Sequence, residues 1–220
     1  MLSVELFLTL FQGLLLALLS YLLLLTMAAV FAGKSTPVEG EPQTRFLVLI
    51  PAHNEQQLLP RLLRSLSDLD YPKTQYEVHV VADNCTDDTA DLARRLNAVV
   101  HERFNEHERG KGYALQWLLS RIWDADLEHD ALAIIDADSH VTANFLRVMD
   151  SQLRQGARVL QAYYAVDEPQ RATSVAIRYA AFAVLHYLRP LGRMVLGGSA
   201  GLKGNGMVFA AHVMRQHRWS

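Results

Sequence analysis

The stretch Phe46–Glu55 reads FLVLIPAHNE. Its first five residues, Phe46–Ile50, are all apolar, and Pro51 halts the run. That is the form of a strand buried on both faces, as in a parallel sheet, not the alternation of a strand with one wet face. Downstream, Leu58, Leu59, Leu62, Leu63 and Leu66 share one face of a helix predicted over Glu55–Leu69, in which Pro60 is tolerable only near the first turn. The alternation then repeats. A strand is predicted over Glu77–Ala82, followed by a helix over Thr86–Leu96 whose first turn holds Asp87 and Asp88, favourable at a positive dipole end. A short strand follows at Val99–Val100, then a helix over Tyr113–Trp123 and a strand over Ala131–Ile135. A helix over Ala143–Gln155 and a strand over Val159–Ala165 complete the pattern. Strand and helix in turn predict an α/β, Rossmann-like domain with a largely parallel sheet.

Upstream of this pattern the chain changes character, and its mean hydropathy of +0.06 averages two unlike parts. Leu6–Ala32 contains no charged residue, and Gln12 is its only amide. As a helix it would run about 40 Å, more than the roughly 30 Å of a bilayer core. It is too long for the apolar region of a signal peptide, and no basic residue precedes it. Residues 1–33 therefore read as a transmembrane anchor. Residues 34–44, with Pro37, Gly40 and Pro42, read as a linker, and 45–220 as the α/β domain. Lys34 and Arg45 follow the anchor whereas Glu5 precedes it, which leans toward a cytosolic domain.

Composition narrows the function classes. The 220 residues carry 21 Lys+Arg against 23 Asp+Glu, a formal charge of −2, so the chain is not a polycation built for nucleic acid. Cys85 stands alone, which excludes an intramolecular disulfide and a cysteine-based zinc site. The nine histidines form no His-x3-His or His-Glu-x2-His pair, and no Walker-type loop is present.

In open α/β sheets, ligands sit at the carboxyl ends of strands. Three predicted strands run into polar residues there: Pro51-Ala52-His53-Asn54-Glu55, Asp83-Asn84-Cys85-Thr86-Asp87-Asp88, and Asp136-Ala137-Asp138-Ser139. Helix capping accounts for Asn54-Glu55 and Thr86-Asp87 equally well. Asp136 and Asp138 are harder to explain that way, because neighbouring carboxylates repel unless a cation or donors compensate. If the strand continued, both would point to one side. One could then reach a ligand hydroxyl while the other met a divalent metal on phosphate oxygens.

These motifs, with the Arg109-Gly110-Lys111-Gly112 loop, resemble family-2 glycosyltransferases of the GT-A fold, in the membrane-bound branch of cellulose, chitin and hyaluronan synthases. The resemblance runs from about Arg45 to the end. It implies inverting transfer from a nucleotide-sugar donor, a UDP-sugar, to a saccharide or lipid-linked acceptor, with Mg2+ or Mn2+ and contact with membrane lipid. The one apolar stretch reads as a single pass with a cytosolic catalytic domain, as at a bacterial inner membrane, whereas the processive branch is expected to continue with further transmembrane helices. Pro51, Ala52 and Glu55 would then line the nucleotide pocket, and Asp83 would meet the uracil edge or ribose. Lys111 would approach the nucleotide or its diphosphate, Asp136 the ribose or sugar, and Asp138 the metal. Asn205 and Gly206, in Gly204-Asn205-Gly206, would lie on the acceptor side.

The family pattern is incomplete. The last acid is Glu168, so the acidic motif supplying the general base is missing, and Gln216-His217-Arg218-Trp219 has one residue, not two, between Gln and Arg. The expectation is an N-terminal piece whose catalytic base lies beyond Ser220. A nucleotidyltransferase fits less well, because its Gly-rich opening loop is replaced here by Pro-Ala-His-Asn-Glu. A non-catalytic sugar-nucleotide-binding membrane scaffold is the alternative. From Arg171 onward no acid occurs, while Arg171, Arg178, Arg189, Arg193, Lys203, Arg215 and Arg218 are basic. This tail reads either as a helix on an anionic membrane surface or as a core helix of the α/β domain.

Overall fold

The computed structural model describes residues 2–33, 40–217 and Trp219. Lys34, Pro37 and Arg218, which enter the orientation, linker and tail readings, lie outside them. In chain order the elements are α1 (Leu2–Val30), β1 (Phe46–Ala52), α2 (Leu59–Ser67), β2 (Tyr76–Asp83), α3 (Thr89–Arg95), β3 (Val99–Arg103) and α4 (Lys111–Asp124). There follow β4 (Ala131–Ile134), α5 (Phe145–Arg154), β5 (Val159–Gln161), α6 (Thr173–Ala183), α7 (Arg189–Val195), β6 (Met207–Ala210) and α8 (Ala211–Gln216). They form two compact units. One comprises the described residues of Thr36–Ala162 and Gly204–Ser220; the other comprises those of Met1–Ser35 and Tyr163–Lys203.

The first unit is a six-stranded sheet in the order β3-β2-β1-β4-β6-β5. The strands β3, β2, β1 and β4 run parallel, while β6 is antiparallel to both β4 and β5. β1 is central in the parallel part, with Phe46 opposite Tyr76 on one side and Ala131 on the other. Its side chains alternate between two cores. Phe46, Val48 and Ile50 pack with Leu59, Leu62 and Leu66 of α2, Ala93 of α3 and Leu146 of α5. Leu47 and Leu49 pack with Leu115, Leu118 and Ile122 of α4 and Met214 of α8. Helices on both faces are why this strand reads as an unbroken apolar run.

Several boundaries move, each for a physical reason. α2 begins at Leu59, not Glu55, because residues 55–58 close a turn in which the amides of Leu58 and Leu59 both reach the Glu55 carbonyl. α3 begins at Thr89, not Thr86. The Asp87 carboxylate accepts from the Thr89 amide at 3.0 Å and from the Gln56 amide at 3.2 Å, so Asp87 lies outside the first turn. β5 stops at Gln161 because its one sheet neighbour among the described residues, β6, is four residues long. β6 itself, Met-Val-Phe-Ala and buried throughout, is too short to show a period, and only the resemblance of Gly204-Asn205-Gly206 to a Gly-rich strand entry points to it in the sequence.

The second unit contains α1, α6, a π-helical turn at Val184–Leu188, and α7. Ser3–Val30 is long and apolar enough to cross a membrane. Near its end, Leu25, Ala28 and Ala29 are buried, whereas Leu16 is 67% exposed. Gly192 of α7 fits against α1 only because it has no side chain: a Cβ there would lie 2.1 Å from the Leu25 carbonyl oxygen. α6 buries none of its residues and belongs to this unit, so it is not a core helix of the α/β sheet.

On β2 and β3, His79 and His101 stack at 5.3 Å between ring centroids, with Nδ1 of His79 3.0 Å from Nε2 of His101. Burial pushes His79 below its ordinary value, and burial followed by the His79 ring pushes His101 down to about 4. Glu77 opposes both shifts, His129 adds to that on His79, and Arg121 to that on His101. The unfolded chain therefore binds more protons than the folded one between the ordinary histidine value and about 4. Stability should be intact above roughly pH 6.5 and fall as the pH drops through that window. Thermal unfolding of the chain in detergent should show the midpoint falling by several degrees across it. In His101→Phe, which keeps the stack but cannot titrate, the fall should be a few degrees smaller; an equal fall would assign the acid sensitivity elsewhere.

Candidate functional site

β1 and β2 are parallel and in register, with Ala52 opposite Ala82, so the residues that follow each emerge at one edge of the sheet. A cleft of about 390 Å³ opens there, lined by Pro51, Ala52, His53, Glu55, Asp83 and Asn84, and by Arg109, Gly110, Lys111 and Ala114 at the start of α4. Gly110 caps that helix at φ +106°, a conformation that favours glycine.

Asp83 ends β2 buried. Its Oδ1 accepts from Arg103 Nη1 at 2.6 Å, and Arg103, at the register position opposite Asp83 on β3, is equally buried. The same guanidinium donates to the Glu108 carbonyl at 2.8 Å and meets the Glu108 carboxylate at 3.3 Å. Asn84, at φ +51°, accepts from the Asn105 amide at 2.8 Å, while Asn105 Oδ1 accepts from the amides of His107 and Glu108. Asp83 and Asn84 are thus tied to the loop that leads into Arg109-Gly110-Lys111. Arg103 was not among the residues singled out from sequence. The signal that could have found it is the question of what compensates a carboxylate at the end of a buried strand.

The turn after β1 is held to the turn after β2. Asn54, at φ +55°, accepts from the Thr86 amide at 2.8 Å, and the Glu55 amide donates to Thr89 Oγ1 at 2.8 Å. His53 Nδ1 lies 2.7 Å from the Asp83 carbonyl, so Nδ1 carries the proton and donates. Cys85 Sγ accepts from the Asn54 amide at 3.4 Å and donates to the Ala52 carbonyl at 3.5 Å. Burial pushes this thiol up, which keeps it protonated and structural.

The acidic pair is arranged differently from the strand-based expectation. β4 ends at Ile134, and Asp136–Ser139 form a turn closed by the Ser139 amide on the Asp136 carbonyl at 3.1 Å. Strand alternation therefore does not orient the two carboxylates: Asp136 is half-buried and Asp138 exposed. Lys111 Nζ contacts both the Asp136 carboxylate and the Gly204 carbonyl. Asn205 and Gly206 stand at the start of β6, where Asn205 Oδ1 accepts from the Asp136 amide at 3.0 Å. Burial first, and then the carboxylates of Asp138, Asp87 and Asp136, raise Glu55 above the usual carboxylate range, with His53 opposing. Glu55 and both acids of the turn therefore share one field. Among the described residues no three His, Cys, Asp or Glu side chains gather into a metal cage. An open set of one or two carboxylates is what Mg2+ or Mn2+ takes when water and phosphate oxygens fill its other positions.

The family model described as glycosyltransferase-like family 2 matches residues 42–219. Among curated proteins, a beta-monoglucosyldiacylglycerol synthase from a Nostoc species is 28% identical over 165 residues, covering 72% of this chain and 34% of that protein. A 4,4'-diaponeurosporenoate glycosyltransferase from Staphylococcus haemolyticus is 30% identical over 140 residues, 60% of this chain and 35% of that protein. The chain spans about a third of the length of these relatives. Of solved structures, a mannosyltransferase from Pyrobaculum calidifontis in complex with GDP-Man and Mn2+ superposes with a TM-score of 0.65, at 21% identity, over 93% of this chain and 56% of that one. Glucosyl-3-phosphoglycerate synthase from Mycobacterium tuberculosis, in complex with UDP, gives 0.51 at 21% identity over 86% of this chain and 61% of that one. The fold is GT-A.

The Asp83–Arg103 pair yields a stability prediction. Arg103→Met strands a buried carboxylate and should cost about 3–5 kcal/mol in urea unfolding, whereas Asp83→Leu/Arg103→Met should recover most of that loss. A loss below about 1 kcal/mol in the single variant would mean that other donors already satisfy Asp83.

Proposed function

The chain belongs to glycosyltransferase-like family 2, and from that premise we propose that its sheet unit binds a nucleoside-diphosphate sugar for transfer to a saccharide or lipid-linked acceptor. The observation that carries the reading is the cleft itself. It opens at the carboxyl ends of β1 and β2, with cationic Arg109 and Lys111 on its wall, and Lys111 bridges it to the carboxylate turn. A diphosphate needs cations, and a sugar nucleotide needs a hydrogen-bonding wall for its base. Both are present within one rim.

Each residue then has a task set by its chemistry. Asp83 has one carboxylate oxygen committed to Arg103, and its ionised carboxylate can only accept hydrogen bonds. It suits the N3–H of uracil, or the N1–H of guanine, and disfavours cytosine and adenine, which present acceptors there. The fold relatives named above hold GDP-Man in one case and UDP in the other, so the fold alone does not choose the base. We favour a UDP-sugar. Pro51 and Ala52 give the base a main-chain floor, and Glu55 stands on the ribose side. Lys111 and Arg109 face the diphosphate, and Lys111 can leave Asp136 for it because the pair is about one-third exposed. Asp138, with Asp136 beside it, would hold Mg2+ or Mn2+. When bound, that ion neutralises charge on the departing diphosphate.

The acceptor enters from a membrane. α1 crosses the bilayer once as an anchor with the sheet unit on the cytosolic side, supported by Lys34 and Arg45 after the helix against Glu5 before it. A lipophilic acceptor fits that placement, and one relative carries a diacylglycerol in its name. Lipid contact follows from the anchor. Nucleic acid is not a partner on this reading, given a formal charge of −2.

Calorimetry of the full chain in detergent tests the donor site. UDP with Mn2+ should bind, Asp138→Ala should weaken that binding at least about tenfold, and CDP should bind more weakly than UDP. Equal UDP affinity in EDTA would remove the metal from the site, and equal CDP affinity would remove Asp83 from base recognition.

A further inference from the structure

Asn205 sits between Gly204 at φ +90° and Gly206 at φ +66°, just before β6. Both ends of its side chain are engaged. Oδ1 accepts from the Asp136 amide at 3.0 Å, and Nδ2 donates to Ser139 Oγ at 2.8 Å. These two partners bracket Asp138 in sequence. The turn that carries Asn205 is itself fixed from behind. The Asn205 carbonyl accepts from Gln161 Nε2 at 2.7 Å, and the Gly206 carbonyl accepts from the Ala162 amide at 2.8 Å. At Gly206 a Cβ would come within 3.0 Å of the Ala162 Cβ, so the close approach of the two segments also depends on that glycine. Lys111 adds a strut from α4, touching the Gly204 carbonyl and the Asp136 carboxylate together.

We propose that Asn205 is a positioning residue for the Asp136–Ser139 turn, setting the direction in which Asp138 presents its carboxylate to a divalent cation, and that its side chain does not contact the acceptor. Neither hydrogen bond is available to a ligand without releasing the turn. An exposed carboxylate such as that of Asp138 would otherwise have to be ordered at the moment of metal binding, at the expense of affinity. Holding the turn from both sides removes that cost. Outer partners that orient metal-facing groups commonly contribute about 10–100-fold to metal affinity. The proposal rests on the reading of this turn as the metal-facing side of the donor pocket.

The test titrates Mn2+ into the full chain in detergent with UDP present, following free Mn2+ by its electron paramagnetic resonance signal. Asn205→Ala should weaken Mn2+ binding about tenfold while leaving UDP affinity in EDTA unchanged. Ser139→Ala, which removes only the Nδ2 partner, should shift Mn2+ affinity in the same direction by less. A thermal midpoint near that of the unsubstituted chain establishes that each variant is folded. If Asn205→Ala does not fold, Ser139→Ala decides, and unchanged Mn2+ affinity there overturns the proposal. Mn2+-dependent UDP binding in the unsubstituted chain that Asn205→Ala leaves intact overturns this inference alone. No such binding in the unsubstituted chain would sink the reading of the donor site and this inference with it. An equal loss of UDP affinity with and without Mn2+ would mark Asn205 as a general support of the pocket and also overturn it.

Discussion

β1 is paired with β2 along its whole length and with β4 over Phe46–Leu49, and it is covered on both faces, so its register is committed. Slipping its register by one residue would exchange Phe46, Val48 and Ile50 with Leu47 and Leu49 and disrupt both cores at once. With β1 immobile, β2 is aligned on one side and β4 on the other, and parallel pairing brings their carboxyl ends to one edge. The cleft follows from this arrangement. What lies after Ala52, Asp83 and Ile134 is brought together because the strands that precede it cannot move.

Gathering that much charge at one rim is unfavourable, and the molecule offsets it unevenly. Asp83 receives a buried guanidinium, which in turn organises the loop leading to Lys111. Asp136 receives Lys111 at its carboxylate, while Asn205 holds only its backbone amide. Asp138 is exposed, and its charge adds to burial in raising the Glu55 carboxyl. The fully compensated carboxylate is the one with a structural duty as well. The least compensated one is where an added cation gains most.

The helical unit obeys a different rule. Its α1 leaves most of its apolar side chains uncovered, which water would penalise and hydrocarbon would not. Only where α7 approaches are residues such as Leu25 buried, and that approach is possible because Gly192 presents bare backbone. Small residues at close helix contacts are a means of packing where the hydrophobic effect between helices is weak.

Sequence alone determined what local periodicity can carry. The run Phe46–Ile50, the leucine face of α2 and the uncharged N-terminal stretch each announce an element, because the burial that stabilises them is written in consecutive residues. The strand-end residues Pro51, Ala52, Glu55 and Asp83 were legible too, as was Lys111 at the start of α4, and they line one cleft. Tertiary structure alone decided how they work together. Arg103 finds Asp83 across 20 residues and Asn205 finds Asp136 across 69, and nothing in either neighbourhood specifies the partner. The strand β6 pairs with β4 on one side and β5 on the other, and although Val208 and Phe209 suit a strand, four residues alone are too few to announce one. Asp136 and Asp138 left the strand for a turn for a related reason: β4 ends where its pairing with β1 and β6 ends, at Ile134. Local pattern fixes an element when its own residues supply the free energy; where a distant chain segment supplies it, only the folded molecule holds the answer.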